Sequence, residues 1–216
     1  MSNGTEQMRI RLESCAGKLQ QHGFEAIVVK NLDEAGRILR QQIERHAPRS
    51  ISYGDSMTLR ATGIIEELRN QTRYTFIDGF DPALTRPEQL DVRRLGLTAD
   101  LFMSGINAVT DNGTLYWVDM VGNRIAPIIF GPRHVVLLAG HNKLTGSQAE
   151  AEQRVREIAG PKNVARHPGF KTPCAVTGRC ADCNSPQRIC NARLSLERCW
   201  PKGRITVILI DEAWGL

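Results

Sequence analysis

Apolar residues at Met8, Leu12, Cys15 and Leu19 recur every three or four positions and stop at Gly23, which predicts a helix over 5–22 with a glycine C-cap. The run Phe24 to Val29 suits a buried strand. Asn31 or Asp33 is placed to cap a second helix reaching His46, with Leu32, Ala35, Ile38, Leu39 and Ile43 facing inward. Ser50–Tyr53 reads as a strand, Gly54-Asp55-Ser56 as a turn, and 58–70 as a helix. A strand over Tyr74–Ile77 and a helix over 87–97 follow.

The pattern then changes. Leu101–Met103, Asn107–Thr110, Thr114–Val118 and His134–Ala139 are short strand-like runs, and Asp111-Asn112-Gly113 is a hairpin signal between two of them. A helix is expected over 147–159, ending at Gly160-Pro161, and Arg204–Ile210 is an almost unbroken apolar strand. Strands alternating with helices argue for an α/β fold, a mostly parallel sheet flanked by helices. The expected organisation is one α/β domain over 1–216. A cysteine-rich loop insertion occupies about 161–203, and the strand 204–210 returns the chain to the sheet.

Composition sharpens this picture at one place. The chain has 216 residues, 41% of them hydrophobic, and a formal net charge of +5. That length is enough for a sizeable core without staples, and no apolar run approaches the ~20 residues of a membrane span. Residues 161–204 carry nine Lys or Arg against Asp182 and Glu197, so the excess positive charge belongs to this segment. A basic face of this kind suits phosphate, but paired zinc-finger histidines and interleaved aromatics are missing, so nucleic acid is not the expected partner.

The same segment holds Cys174, Cys180, Cys183, Cys190 and Cys199, while the preceding chain has only Cys15. The spacing Cys-x5-Cys-x2-Cys-x6-Cys lies among Pro, Gly and Asn. A Cys-x2-Cys pair can bring both sulfurs to one centre. Cys174, Cys180, Cys183 and Cys190 are therefore the expected ligands of Zn²⁺ or an iron–sulfur cluster, with Cys199 spare or substituting. Nearby cations would stabilise such an anionic centre. Redox-active thiols, inert buried thiols and a disulfide framework are the rivals. Nothing in Met1–Ile10 resembles a signal peptide, which points to a cytoplasmic chain where structural disulfides are rare. Cys15, inside a helical apolar stripe, is expected in the core.

Two further stretches carry candidate chemistry. Gly54-Asp55-Ser56-Met57-Thr58 joins a strand to a helix, the edge of an α/β sheet where ligands bind. Gly54 permits close approach there, and Ser56 and Thr58 can donate to a phosphate or carboxylate; the plain alternative is that Asp55 or Ser56 is an N-cap. Asn107 to Thr114 places Asp111 at a turn, where an acid can serve as base or nucleophile, although turns favour Asp for conformation alone. Arg124 can offer a cation to an anionic ligand or pair with Asp119, and His134 and His141 read as strand-edge residues.

Three blocks together resemble the LUD (lactate utilisation, LutC/YkgG-like) family. They are Ser52-Tyr53-Gly54-Asp55-Ser56-Met57-Thr58-Leu59; Ser104 to Thr114 followed by Gly122-Asn123-Arg124; and the cysteine segment through Arg188-Ile189-Cys190-Asn191, which is similar to a longer branch of that family. The resemblance implies a fold like that of ribose-phosphate isomerases and CoA-transferases (NagB/RpiA-like), with the Gly54–Thr58 loop on an anionic small molecule; Asn107 and Arg124 are the further candidate ligand residues. In CoA-transferases a catalytic carboxylate lies two residues before a glycine, and Asp111 before Gly113 falls there, although the transferases use Glu. It also implies a link to lactate oxidation beside iron–sulfur oxidoreductase partner proteins. Two functions follow as expectations. One is a metal- or iron–sulfur-binding accessory or electron-transfer component, and the other is a CoA-transferase- or sugar-phosphate-isomerase-like enzyme.

Overall fold

Strands buried on both faces read as continuous apolar runs, and two such runs form the centre of the molecule. The computed structural model describes residues 2–216, without the side chains of residues 2, 3 and 5. Met1, where the stretch read for a signal peptide begins, lies outside the described residues. Strands β1 (Glu25–Val29), β2 (Ser50–Tyr53), β3 (Thr75–Ile77), β4 (Leu101–Gly105), β7 (His134–Gly140) and β10 (Ile205–Ile210) form a six-stranded parallel sheet in the order β1-β10-β7-β4-β2-β3. Along β7, Val135, Leu137 and Ala139 enter one core and Val136 and Leu138 the other; β10 splits Val207 and Leu209 from Ile208 and Ile210 in the same way.

Helices α2 (Leu32–His46), α3 (Met57–Ala61) and α4 (Ile64–Arg69) supply the core on one face. The other face takes α1 (Ser2–Gln21), α6 (Ile125–Ile129) and a second sheet. That second sheet, absent from the sequence reading as a separate layer, has the order β8-β5-β6-β9, with β5 at Ala108–Thr110, β6 at Leu115–Asp119, β8 at Leu144–Thr145 and β9 at Ala192–Leu196. β5 and β6 are an antiparallel hairpin turned by Gly113, whose φ of 82° suits glycine. Trp117 of β6 is buried, and its Nε1 donates to Gly105 O at 2.8 Å, tying the second sheet to the end of β4.

Three predicted elements differ. The helix over 58–70 is broken into α3 and α4, because Thr62 turns its hydroxyl back onto Leu59 O at 2.7 Å and Gly63 goes left-handed at φ 76°. The helix over 147–159 does not stop at Gly160-Pro161. It runs from α7 (Gln148–Arg154) through a wide π turn at Val155–Ala159 into α8 (Gly160–Ala165). Gly160 N–H reaches back five residues to Val155 O, and this shift absorbs the donor that Pro161 lacks. The cysteine-rich segment is also less of a loop than expected. It contains α8, the short helix α9 (Pro173–Thr177) and β9, whose residues 192–196 pair antiparallel with β6.

Candidate functional site

Adjacent strands β2, β4 and β7 all deliver their carboxyl ends to one edge of the parallel sheet. Their loops bring together Gly54–Ser56, Ile106–Asn107 and His141–Lys143, and opposite them lie the helix α5 (Arg86–Leu95), the turn before α6 and the α8 region. Between these elements is a cavity of about 420 Å³. Five arginines (Arg60, Arg86, Arg93, Arg124 and Arg166) and Lys143 line it, against the carboxylates of Asp55 and Asp119.

The predicted loop divides its labour. Ser56 caps α3 by accepting the Leu59 N–H at 3.2 Å. Asp55 bridges two of the arginines, accepting Arg60 Nε at 2.7 Å and an Arg166 guanidinium N–H at 3.1 Å. Burial alone would raise the Asp55 pKa, but the two guanidinium groups hold it below the usual carboxylate range. Asp55, Ser56, Asn107 and Arg124 line the cavity; Gly54 and Thr58, placed on the ligand by the sequence reading, stand behind it. Thr58 is fully buried and accepts a hydrogen bond from Lys143 Nζ at 3.3 Å.

Gly54 makes room for an arginine. A Cβ there would overlap Arg124 Cγ and lie 2.8 Å from Ser104 Oγ, so only glycine lets Arg124 cross the end of β2. Arg124 is aimed from its other side by Val118 O, to which it donates, and by the buried Asp119, which lies 3.7 Å from Arg124 Nε. The Asp119 carboxylate also accepts the N–H groups of Met120 at 2.8 Å and Arg124 at 2.9 Å, so it shapes the turn that carries Arg124. Gly54→Ala is expected to cost about 1–3 kcal/mol by overpacking and to displace Arg124. Denaturant unfolding checks this, and an unchanged midpoint would contradict it.

Arg154 holds the two loops from behind. It is buried, donates through Nε to Asn142 O at 3.0 Å and through Nη1 to Asn107 O, and so joins the β4–β5 and β7–β8 connections. Burial lowers its pKa to about 10. Arg93 is the half-buried wall of the cavity. Its guanidinium lies 4.0 Å from the Phe80 ring centre and donates to Gly79 O at 2.8 Å. Burial first, and then the charge of Arg86, lower its pKa. Among the described residues neither Arg86 nor Arg93 has a carboxylate within ion-pair distance.

Asp111 is not in the cavity. The Asn112-Gly113 turn sends it against α1, where Arg11 donates to both of its oxygens at 2.8 and 3.0 Å. This removes it from the place a carboxylate would need beside Arg124, and the preference of turns for Asp explains the residue. His134 sits at the opposite, amino end of β7, stacked on His46 with ring centres 3.7 Å apart, and His141 Nδ1 lies 3.6 Å from Asp211.

All six cysteines are free. Cys15 is buried in the core as expected, its thiol pushed up to about 12 mainly by burial, and Cys199 is buried as well. Cys174, Cys180, Cys183 and Cys190 are half-exposed, and Cys190 reaches the cavity wall. The Cys180–Cys183 turn places Asp182 at φ 44° and its N–H 3.4 Å from Cys180 Sγ, while Arg188 donates to the carbonyls of Cys183 and Cys190. Among the described residues, no three His, Cys, Asp or Glu side chains stand together as metal ligands. Iodoacetamide at neutral pH on metal-free protein is expected to modify the four half-exposed thiols and spare Cys15 and Cys199. Comparable labelling of Cys15 would contradict its burial.

The reading from sequence missed Arg60, Arg86, Arg93, Arg166, Lys143 and Arg154. They come from four separate stretches with no shared motif: α3, α5, the β7–β8 connection and the α7–α8 run. The one available signal was a lysine three residues past the end of the apolar strand β7.

An α/β protein with a cation-lined cleft at the carboxyl edge of a parallel sheet is the class that fold and site define. The chain belongs to the LUD family, since residues 12–210 match the LUD domain. Among solved structures it is similar to a DUF162 family protein from Deinococcus radiodurans, with 12% identity and a TM-score of 0.48 over 95% of this chain and 98% of that one. No curated protein matches the chain. Among the described residues, no helix is long and apolar enough to cross a membrane.

Proposed function

We propose that this LUD-family protein binds a small anionic molecule, a carboxylate or phosphate, in the cleft between Asp55, Asn107, Arg93 and Arg124. One observation carries the reading. Arg86 and Arg93 hold like charges near one another with no carboxylate within ion-pair distance among the described residues, and a ligand anion is the missing counter-charge. A cavity of about 420 Å³ suits a compact metabolite. The enzyme reading, of CoA-transferase or sugar-phosphate-isomerase kind, then rests on this cleft and not on Asp111. Isothermal titration with lactate, ribose 5-phosphate and acetyl-CoA tests it. Saturable binding of one of them that weakens in the Arg93→Met variant supports it, and no binding of any of the three contradicts it.

A second reading assigns the exposed thiols to Zn²⁺ or an iron–sulfur cluster in an accessory or electron-transfer component that works with iron–sulfur oxidoreductase partners. The Asp182 N–H directed at Cys180 Sγ favours it, since amide donors stabilise a thiolate. Cys174 and Cys190 would have to close on the Cys180–Cys183 turn when the group binds. Elemental analysis of anaerobically purified protein decides: stoichiometric zinc, or iron with sulfide, lost on Cys180→Ser and Cys183→Ser, supports it. Unchanged metal content in those variants sinks it.

A further inference from the structure

Lysine rarely enters a protein interior without a carboxylate beside it. Lys143 does so at the cleft wall. It is 3% exposed, and its Nζ makes one hydrogen bond, to Thr58 Oγ1 at 3.3 Å. The remaining groups facing it are the charges of Arg124 and Arg154 and the backbone of Gly215, where a Cβ would lie 2.8 Å from Nζ. No carboxylate of the described residues stands within ion-pair distance of Nζ.

We propose that Lys143 is a carbonyl-reactive amine, which condenses with the aldehyde or ketone group of an anionic ligand whose charge is held by the cleft arginines. The proposal rests on the anion-binding reading given above and names the substrate class of the same site. Burial, with the neighbouring charges of Arg154 and Arg124, lowers the amine's pKa to about 7, so that about half of it is unprotonated at neutral pH, where an exposed lysine is almost wholly an ammonium. The Nζ lone pair attacks the carbonyl carbon to give a carbinolamine. The C–O bond then breaks, both amine protons leave with the oxygen as water, and a C=N bond joins Lys143 to the ligand. Thr58 accepts one N–H of the amine and so directs its lone pair; Arg124, which packs over Gly54 and lines the same cavity as Lys143, would receive the ligand's anionic end.

The test uses the full chain at pH 7 with cyanoborohydride and either glyoxylate or glyceraldehyde 3-phosphate, which share an aldehyde but differ in the anion. The adduct is mapped by peptide mass over the six lysines, with titration of the same two compounds in parallel. At pH 7 the unprotonated fraction of Lys143 exceeds that of an ordinary lysine by about 10³, so the adduct is expected at Lys143 ahead of Lys18, Lys30, Lys162, Lys171 and Lys202. It should saturate with ligand and be suppressed by inorganic phosphate. Glyoxylate as the better probe identifies an oxo-acid substrate, and glyceraldehyde 3-phosphate a phosphorylated one. Saturable binding with adducts only on the other lysines overturns the amine's role and leaves the anion site standing. Neither binding nor a Lys143 adduct overturns both.

Discussion

Methionine at both Arg86 and Arg93 is expected to weaken anion binding by two to four orders of magnitude while leaving the fold intact. A hydrogen bond to a charged group contributes roughly 1.5–3 kcal/mol, so losing two of them costs about 3–6 kcal/mol of binding, at about 1.4 kcal/mol per tenfold. The fold should tolerate the change. Arg86 is exposed, and among the described residues its guanidinium hydrogen-bonds to Met120 Sδ alone, at 3.9 Å; methionine keeps the apolar stem of Arg93 against Phe80. The lost bonds to Gly79 O and Gln89 Oε1 cost about 1 kcal/mol each, and relief of the repulsion between the two cations offsets part of it. Titration calorimetry and urea unfolding on the same preparation separate the effects. Unaltered affinity would mean that the unpaired arginines are not the anion's partners.

The second large effect is on stability. Trp117→Ala should lower it by about 3–5 kcal/mol, the range for emptying a large buried aromatic site. Trp117 is fully buried in the core between the two sheets, and its removal also leaves Gly105 O without the Nε1 donor. Trp117→Phe retains most of the apolar volume and loses the hydrogen bond, so its cost should be well under half as large. Gly105 and the loop that follows it carry the Ile106–Asn107 wall of the cleft, so the alanine variant should also bind anions less tightly. An alanine variant as stable as the wild type would show that the sheets are not held together there.

What could be read from sequence follows from where each signal lies. The runs in β7 and β10 were legible because burial on both faces leaves no polar alternation. The loop at Gly54–Thr58 was legible as a strand–helix junction. Its chemistry was not, because the demand for glycine at position 54 comes from Arg124, seventy residues away, and the hydroxyl of Thr58 answers to Lys143. β9 (A-R-L-S-L) escaped notice since Arg193 and Ser195 break its apolar run and it sits within the cysteine segment. Asp111 drew attention as an acid beside a glycine, yet the same pattern is what a hairpin turn requires. The cationic lining is assembled by topology from arginines scattered over more than a hundred residues, and pattern in a linear chain does not report that.

Diffraction from crystals soaked separately in selenate and in 3-bromopropionate tests the central claim most directly, since each anion marks its place by anomalous scattering. The account predicts a peak for at least one of them inside the cleft, within hydrogen-bonding reach of the Arg93 or Arg124 guanidinium. Peaks confined to the outer surface, with the cleft empty for both anions, would contradict it.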